Sequence, residues 1–363
     1  MNTLCRALAV FAAALRNARS IIVETRLTLV MLLLLVLAQT VHGEEQHLAR
    51  IGDLRLDGGK IIRDCVIGYR TFGRLNKDKS NAVLFPTAFG WRSAGLASRI
   101  GPGKLIDGEK YFVIAVNSLG DGVSSSPSNS SSQPGVDFPE FSIRDMVSAE
   151  QQFVVGTLHL RHLRAVMGFS MGGMQAFQWV VSYPGFMDKA VSIVGSPQLT
   201  AYDLLLWRST LLALESDPGW KEGRYTSQPA GHLMNMVQML ALQTPKYVVS
   251  HDPRREYQKF ESELVQGPDD LDANDTRRQI QALLSADVAA QFDGSLQGAA
   301  ATVLSQMLVI VNKQDHLVNP QPAADFARML HASLLELDSD CGHRAHSCEM
   351  KRIGEAVAEF LEK

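Results

Sequence analysis

Residues 165–179 read AVMGFSMGGMQAFQW. An apolar run over 163–167 (LRAVM) leads in, one serine stands between Gly168 and Gly172, and a helix-like stretch follows to Ser182, where Pro184 stops it. An apolar run without alternation suits a strand buried on both faces. A serine on a sharp turn from such a strand into a helix needs neighbours of little bulk two residues away, and G-x-S-x-G provides them. The turn lifts the hydroxyl out of the sheet. It also aims the backbone N–H of Met171 and the helix N-terminus at one small volume, where a developing oxyanion can be held. The competing reading is a glycine-rich turn with an idle serine, and it leaves the order of strand, serine and helix without a reason.

The segments on either side repeat the pattern. Residues 52–75 alternate apolar and polar around Asp57-Gly58-Gly59 and read as an antiparallel hairpin. Short apolar runs at 82–85 (AVLF), 111–116 (YFVIAV), 190–194 (AVSIV), 307–312 (MLVIVN) and 333–337 (SLLEL) read as further strands. Helical patterns cover 141–160, 172–182 and 352–361. Residues 201–300 hold helical stretches at 202–215 and 232–242 and no strand-like run. The expected fold is α/β, a mainly parallel sheet flanked by helices. Its core spans 44–200 and 301–363, with 201–300 inserted as a helical cap over one end of the sheet.

A serine hydroxyl is a poor nucleophile at neutral pH and needs a base that an acid orients. In a sheet of this kind the active site lies at the carboxyl ends of strands, and the chain order is serine, acid, histidine. Asp315 follows the strand at 307–312, and His343 follows the strand at 333–337 with Gly342 before it. His316 and His346 are rivals for the base, and Asp338 and Asp340 for the acid. The second oxyanion donor is expected in the loop after 82–85, from the amide of Phe89 or its neighbour Ala88. Trp91 could line an acyl pocket or simply pack. Met236 and Met239, with Met234 on the same helical stretch, could wall an acyl tunnel or belong to ordinary core.

Composition bounds the rest. The chain has 363 residues, 46% apolar, enough for one large domain or two modest ones. Residues 27–38 (LTLVMLLLLVLA) follow Arg26, carry no charge and precede Val41-His42-Gly43, the layout of a secretory signal peptide over 1–43. The alternative is an uncleaved anchor, for which the run is short. The location expected is periplasmic or secreted, with no stable membrane association after cleavage. The net charge is −3, and loss of a leader with four Arg and one Glu makes the remainder more acidic. Nucleic acid is therefore not an expected partner. Cys65, Cys341 and Cys348 remain beyond the leader. In an oxidising compartment Cys341 and Cys348 could pair across Gly342, leaving Cys65 a buried thiol; otherwise all three are reduced. Cys341, His343, His346 and Cys348 superficially resemble a zinc site, but their spacing is too tight for a Cys₂His₂ module and His343 is wanted as the base. No metal or cofactor is expected.

Taken together, these segments resemble the homoserine acetyltransferase-like family of α/β-hydrolases over nearly all of 44–363. The resemblance rests on 100–107 (IGPGKLID), 111–120 (YFVIAVNSLG), 142–147 (SIRDMV), 168–179 (GFSMGGMQAFQW), Asp272-Ala273-Asn274 and Gly342-His343. It implies the α/β-hydrolase fold, a Ser170–Asp315–His343 triad, and a helical cap that shapes a tunnel and carries a homodimer contact. The family's transferases resemble one another in an arginine within a Q-R-Q stretch of the first cap helix. Here that stretch is Thr210-Leu211-Leu212, with Arg208 out of register. The family's T-Y-R-S segment is Ala241-Leu242-Gln243-Thr244. A buried carboxylate substrate needs a cation partner. The expected activity is that of an exported serine hydrolase cleaving an ester or related small acyl compound. The alternatives are an acyltransferase of the homoserine O-acetyltransferase type and a binding protein on a hydrolase scaffold.

Overall fold

The computed structural model describes residues 45–266 and 271–363. The leader expected over 1–43 lies outside the described residues. From Gln46 onward the chain forms one compact unit.

Eight strands make a single sheet in the order β1-β2-β4-β3-β5-β6-β7-β8. The expected hairpin is β1 (His47–Arg55) and β2 (Ile61–Phe72), which pair antiparallel across a turn closed by Leu56 N–H to Lys60 O at 2.9 Å. β2 runs antiparallel to β4 (Phe112–Val116). From there onward all neighbours are parallel: β3 (Ala82–Pro86), β5 (Leu163–Phe169), β6 (Met187–Ile193), β7 (Gln306–Asn312) and β8 (Ser333–Leu337).

The unbroken apolar runs have the cause inferred from sequence. Along β3, Ala82 and Leu84 enter one buried cluster with Phe153, Phe177 and Phe326, while Val83 and Phe85 enter another with Leu96, Ile353 and Val357. Side chains alternate across a strand, so both faces must be apolar where helices cover both. The helices Ile143–Gly156, Met171–Ser182 and Gln321–Met329 cover the first face. The helix Met350–Glu362 covers the second. Ser142 and Asp145 start the helix Ile143–Gly156 with a reciprocal capping box.

Between β6 and β7 the described residues form helices and turns, apart from one isolated bridge, Gln198 to Asp287. The first of these helices, Ala201–Glu215, buries Asp203, Trp207, Thr210, Leu211 and Leu214, an i, i+4, i+7, i+8, i+11 stripe. Asp203 Oδ1 accepts from the Asn319 amide at 2.8 Å, which ties the base of this helix to the loop after β7.

One core residue carries a pH signature. Glu150 is buried under the sheet; Oε2 accepts from Trp179 Nε1 at 2.7 Å, and Oε1 has no partner among the described residues. Burial pushes its carboxyl up to about 8, against the pull of the Trp179 hydrogen bond. An unfolded chain releases this proton near its ordinary value of 4.5, whereas the folded protein keeps it until about 8. The folded state then holds more protons across that window, so stability falls as pH rises through it and levels off above. Glu150→Gln, which stays neutral, is expected to gain thermal stability relative to wild type as pH is raised from 5 to 8. Melting curves of both proteins at matched pH check this; a difference independent of pH would contradict it.

Candidate active site

Ser170 joins β5 to the helix Met171–Ser182 with φ 50° and ψ −116°, outside the regions that L-residues occupy at no cost. The packing around it enforces the turn. A Cβ on Gly168 would lie 2.3 Å from the carbonyl carbon of Gly172, and one on Gly172 would lie 2.6 Å from the Pro86 carbonyl oxygen. Both glycines are therefore required by close backbone approach. The Gly172 contact also presses the end of β3 against the serine turn. A Cβ on Gly173 would meet Ser192 Oγ at 2.8 Å, so this glycine seats the helix on β6.

Three of the sequence-identified residues come together here from three strand ends. His343 Nε2 lies 2.9 Å from Ser170 Oγ, and His343 Nδ1 lies 2.7 Å from Asp315 Oδ2. The free oxygen of Asp315, Oδ1, accepts from the amides of Leu317 at 2.9 Å and Val318 at 3.0 Å. The His343 and Asp315 side chains are 4% and 2% exposed, so their attraction is little screened by water. None of the rivals takes these places. Asp338 and His316 are exposed, and Asp340 pairs with Lys246 at 3.2 Å. His346 is buried against Trp91 and Phe169, and burial pulls its imidazole down to about 3, so it is neutral beside His343.

The histidine loop is held from several sides. Gly342 has φ +63°, and a Cβ there would lie 2.9 Å from the Leu242 carbonyl oxygen, so only glycine fits beneath the segment 242–244 at this point. From that segment Thr244 Oγ1 donates to Asp340 O at 2.7 Å. Cys341 and Cys348 form a disulfide with a Cα–Cα distance of 6.6 Å, bracketing His343. With both sulfurs in that bond, neither is a thiolate for zinc. Cys65 is a free buried thiol, pushed up to about 12 by burial despite its hydrogen bond with Ser125.

Sequence reasoning missed two amides. Asn312, the last residue of β7, is fully buried and donates to the carbonyls of Ser339 at 2.8 Å and Gly342 at 2.7 Å, while accepting from the Ser339 amide at 2.9 Å. Gln279, on the helix Ala273–Leu284, accepts from the Gly90 amide at 2.9 Å and donates to Leu119 O at 3.1 Å. It joins the loops after β3 and β4 to that helix. A polar residue closing an otherwise apolar strand was the visible signal for Asn312. Nothing in the sequence marked Gln279.

Phe89 follows β3, and its ring meets Trp207 edge-on with centroids 5.5 Å apart. Met171 opens the helix after Ser170, where amides have no partner within the helix. Among the described residues, neither the Phe89 nor the Met171 amide hydrogen-bonds to protein. Trp91 is half-buried and packs on Phe169 and His346, at centroid distances of 6.0 and 5.7 Å.

Met236 and Met239 line an apolar groove of 460 Å³ with Leu240, Val248, Val249, Tyr257 and Phe260, and none of Ser170, Asp315 or His343 borders it. Residues two apart sit about 200° apart around a helix, whereas residues three apart share a face. Met234 accordingly packs toward the core while Met236 and Met239 turn to the groove. Both are half-buried and stand outside the buried core.

Residues 83–347 match the model of the alpha/beta hydrolase fold family. The chain is 31% identical over 362 residues to a homoserine O-acetyltransferase of Geotalea daltonii, covering 88% of this chain and 98% of that one. It is 36% identical over 193 residues to an ethyl acetate hydrolase of Pseudomonas veronii, covering 52% of this chain and 55% of that one. Among solved structures it is similar to the acetyl esterase MekB, with a TM-score of 0.82 and 26% identity over 88% of this chain and 97% of that one.

Proposed function

The chain belongs to the homoserine O-acetyltransferase-like family of α/β-hydrolases and is an enzyme of acyl transfer or hydrolysis, and from that premise we propose that it is an exported serine hydrolase that cleaves a small ester through Ser170, His343 and Asp315. The observation that carries this reading is the hydrogen-bonded line from Ser170 Oγ through His343 to Asp315 at the ends of β5, β8 and β7.

In the proposed mechanism His343 Nε2 takes the Ser170 proton as Oγ attacks the acyl carbon. Asp315 holds the ring and stabilises the imidazolium, and the amides of Met171 and Phe89 receive the oxyanion. The imidazolium then protonates the departing alkoxide, leaving an acyl-serine. Water enters, gives its proton to His343 and attacks the acyl carbon; the acid departs and Ser170 regains its proton. Trp91, beside the residue that precedes Ser170, contributes to the wall of the acyl site.

Water is favoured over an amino-acid alcohol as acceptor by the first cap helix. Thr210 and Leu211 are buried, and Arg208 is exposed. A carboxylate-bearing acceptor would thus lack the cation that the family's transferases place there. Export is supported by the leader-like residues 1–43 and by the Cys341–Cys348 bond, which persists in an oxidising compartment. Residues 201–300 form the cap in this reading. A second copy packing on the cap accounts for the exposure of Leu240 at 82% and Val249 at 78%.

The test is turnover of a chromogenic acetate ester with water alone and with homoserine added, together with acetyl-CoA and homoserine. The expected result is ester hydrolysis that homoserine leaves unchanged. Formation of O-acetylhomoserine at a rate above hydrolysis would establish the transferase instead. Failure of a fluorophosphonate to label Ser170 would remove both and leave a binding protein.

A further inference from the structure

The two loops that carry Asp315 and His343 come from different strands, 28 residues apart in sequence, yet their side chains meet at 2.7 Å. One side chain refers both loops to a common point. Asn312 closes β7, and its backbone carbonyl accepts from the Asp315 amide at 3.0 Å, starting the turn that presents the carboxylate. Its side-chain amide crosses to the other loop and uses both N–H groups there, on the carbonyls of Ser339 and Gly342, while its oxygen takes the Ser339 amide. The Gly342 carbonyl belongs to the peptide that leads into His343. Asn312 is 0% exposed, so water cannot replace these bonds, and three directed bonds on one planar amide leave it no rotational freedom. We propose that Asn312 is a positioning residue that sets the place of the His343 ring relative to Asp315 and Ser170. The proposal rests on the hydrolase reading above.

The reasoning is geometric. A displacement of the order of 1 Å at a reacting group costs about 100-fold in rate without weakening binding. Asn312→Ala is therefore expected to lower kcat about 100-fold with KM for a chromogenic acetate ester within a factor of about 3. Asn312→Asp gives the sharper readout. An ionised carboxylate would face two carbonyl oxygens and repel both; once protonated, it donates to one of them. Its kcat relative to wild type at each pH is therefore expected to rise about tenfold or more as pH falls from 8.5 to 5.5. The ratio to wild type removes whatever pH dependence the two enzymes share, and a purely structural role would not move it in this direction. Circular dichroism confirms folding of each variant; if Asn312→Ala does not fold, the pH ratio of Asn312→Asp decides. Variants with kcat within twofold of wild type, a loss confined to KM, or a ratio flat in pH would each overturn the proposal. Fluorophosphonate labelling of wild-type Ser170 separates the two ideas. If wild type is unlabelled the hydrolase reading falls and this proposal with it; if wild type is labelled and Asn312→Ala is labelled equally fast, only this proposal falls.

Discussion

Ser170→Ala is expected to lower kcat/KM by a factor of about 10⁴ or more and to leave the fold in place. The loss follows from chemistry: without Oγ there is no covalent intermediate, and His343 has nothing to deprotonate at that point. The retained fold follows from the backbone. Alanine accepts φ 50° no worse than serine, and the contacts that hold the turn are those of Gly168, Gly172 and Gly173, which the substitution does not touch. Among the described residues the deleted hydroxyl bonds to the His343 side chain, so stability should shift by roughly 1 kcal/mol. The measurement is steady-state hydrolysis of an activated ester with a melting curve on the same sample. Retention of a tenth of the activity by a folded variant would dismiss Ser170 as the nucleophile.

Asp315→Asn is expected to cost about 10⁴ in kcat through the tautomer of His343. The amides of Leu317 and Val318 both donate to Oδ1, so an asparagine there must keep its carbonyl oxygen at that position. Its NH₂ group then occupies the place of Oδ2, 2.7 Å from His343 Nδ1. A donor facing Nδ1 makes Nδ1 the acceptor and puts the ring proton on Nε2, the nitrogen that must accept from Ser170. Volume and hydrogen-bond count are preserved, so the melting temperature should move by only a few degrees while turnover collapses. The check is kcat beside thermal unfolding, with Asp338→Asn as the control. Asp338 is exposed and bonded to Gln314, so its variant should keep wild-type turnover. If the control proves the damaging change, the acid has been assigned to the wrong loop.

The local features were legible from the residues alone. Strands buried on both faces must be apolar throughout, so AVLF at 82–85 and MLVIVN at 307–312 could be read as parallel strands. Two glycines flanking a serine after such a strand mark a backbone turn that bulk would block. Because loops at strand ends gather on one edge of a parallel sheet, Asp315 and His343 could be placed beside Ser170 from chain order alone. The cysteines illustrate the limit: their sequence spacing permits a bond, but only a backbone that turns between them brings their Cα atoms to 6.6 Å.

The rest depended on which side chains meet across long separations, and local patterns hold no record of that. Three methionines on one helix looked alike, yet packing of that helix sent Met234 inward and turned Met236 and Met239 to an outer groove. Gln279 reads as an ordinary polar helical residue until its helix is laid over the loops after β3 and β4 and both ends of its amide find backbone partners. Asn312 stood out as a polar end to an apolar strand, but its partners on the histidine loop show only in the fold. Periodicity and motif determined the sheet, the serine turn and the order of the site residues, because burial and steric crowding act on neighbours in sequence. The hydrogen bonds that hold the site together were decided by the tertiary structure, because a directed bond between residues tens to hundreds of positions apart exists only once the fold has brought donor and acceptor within about 3 Å.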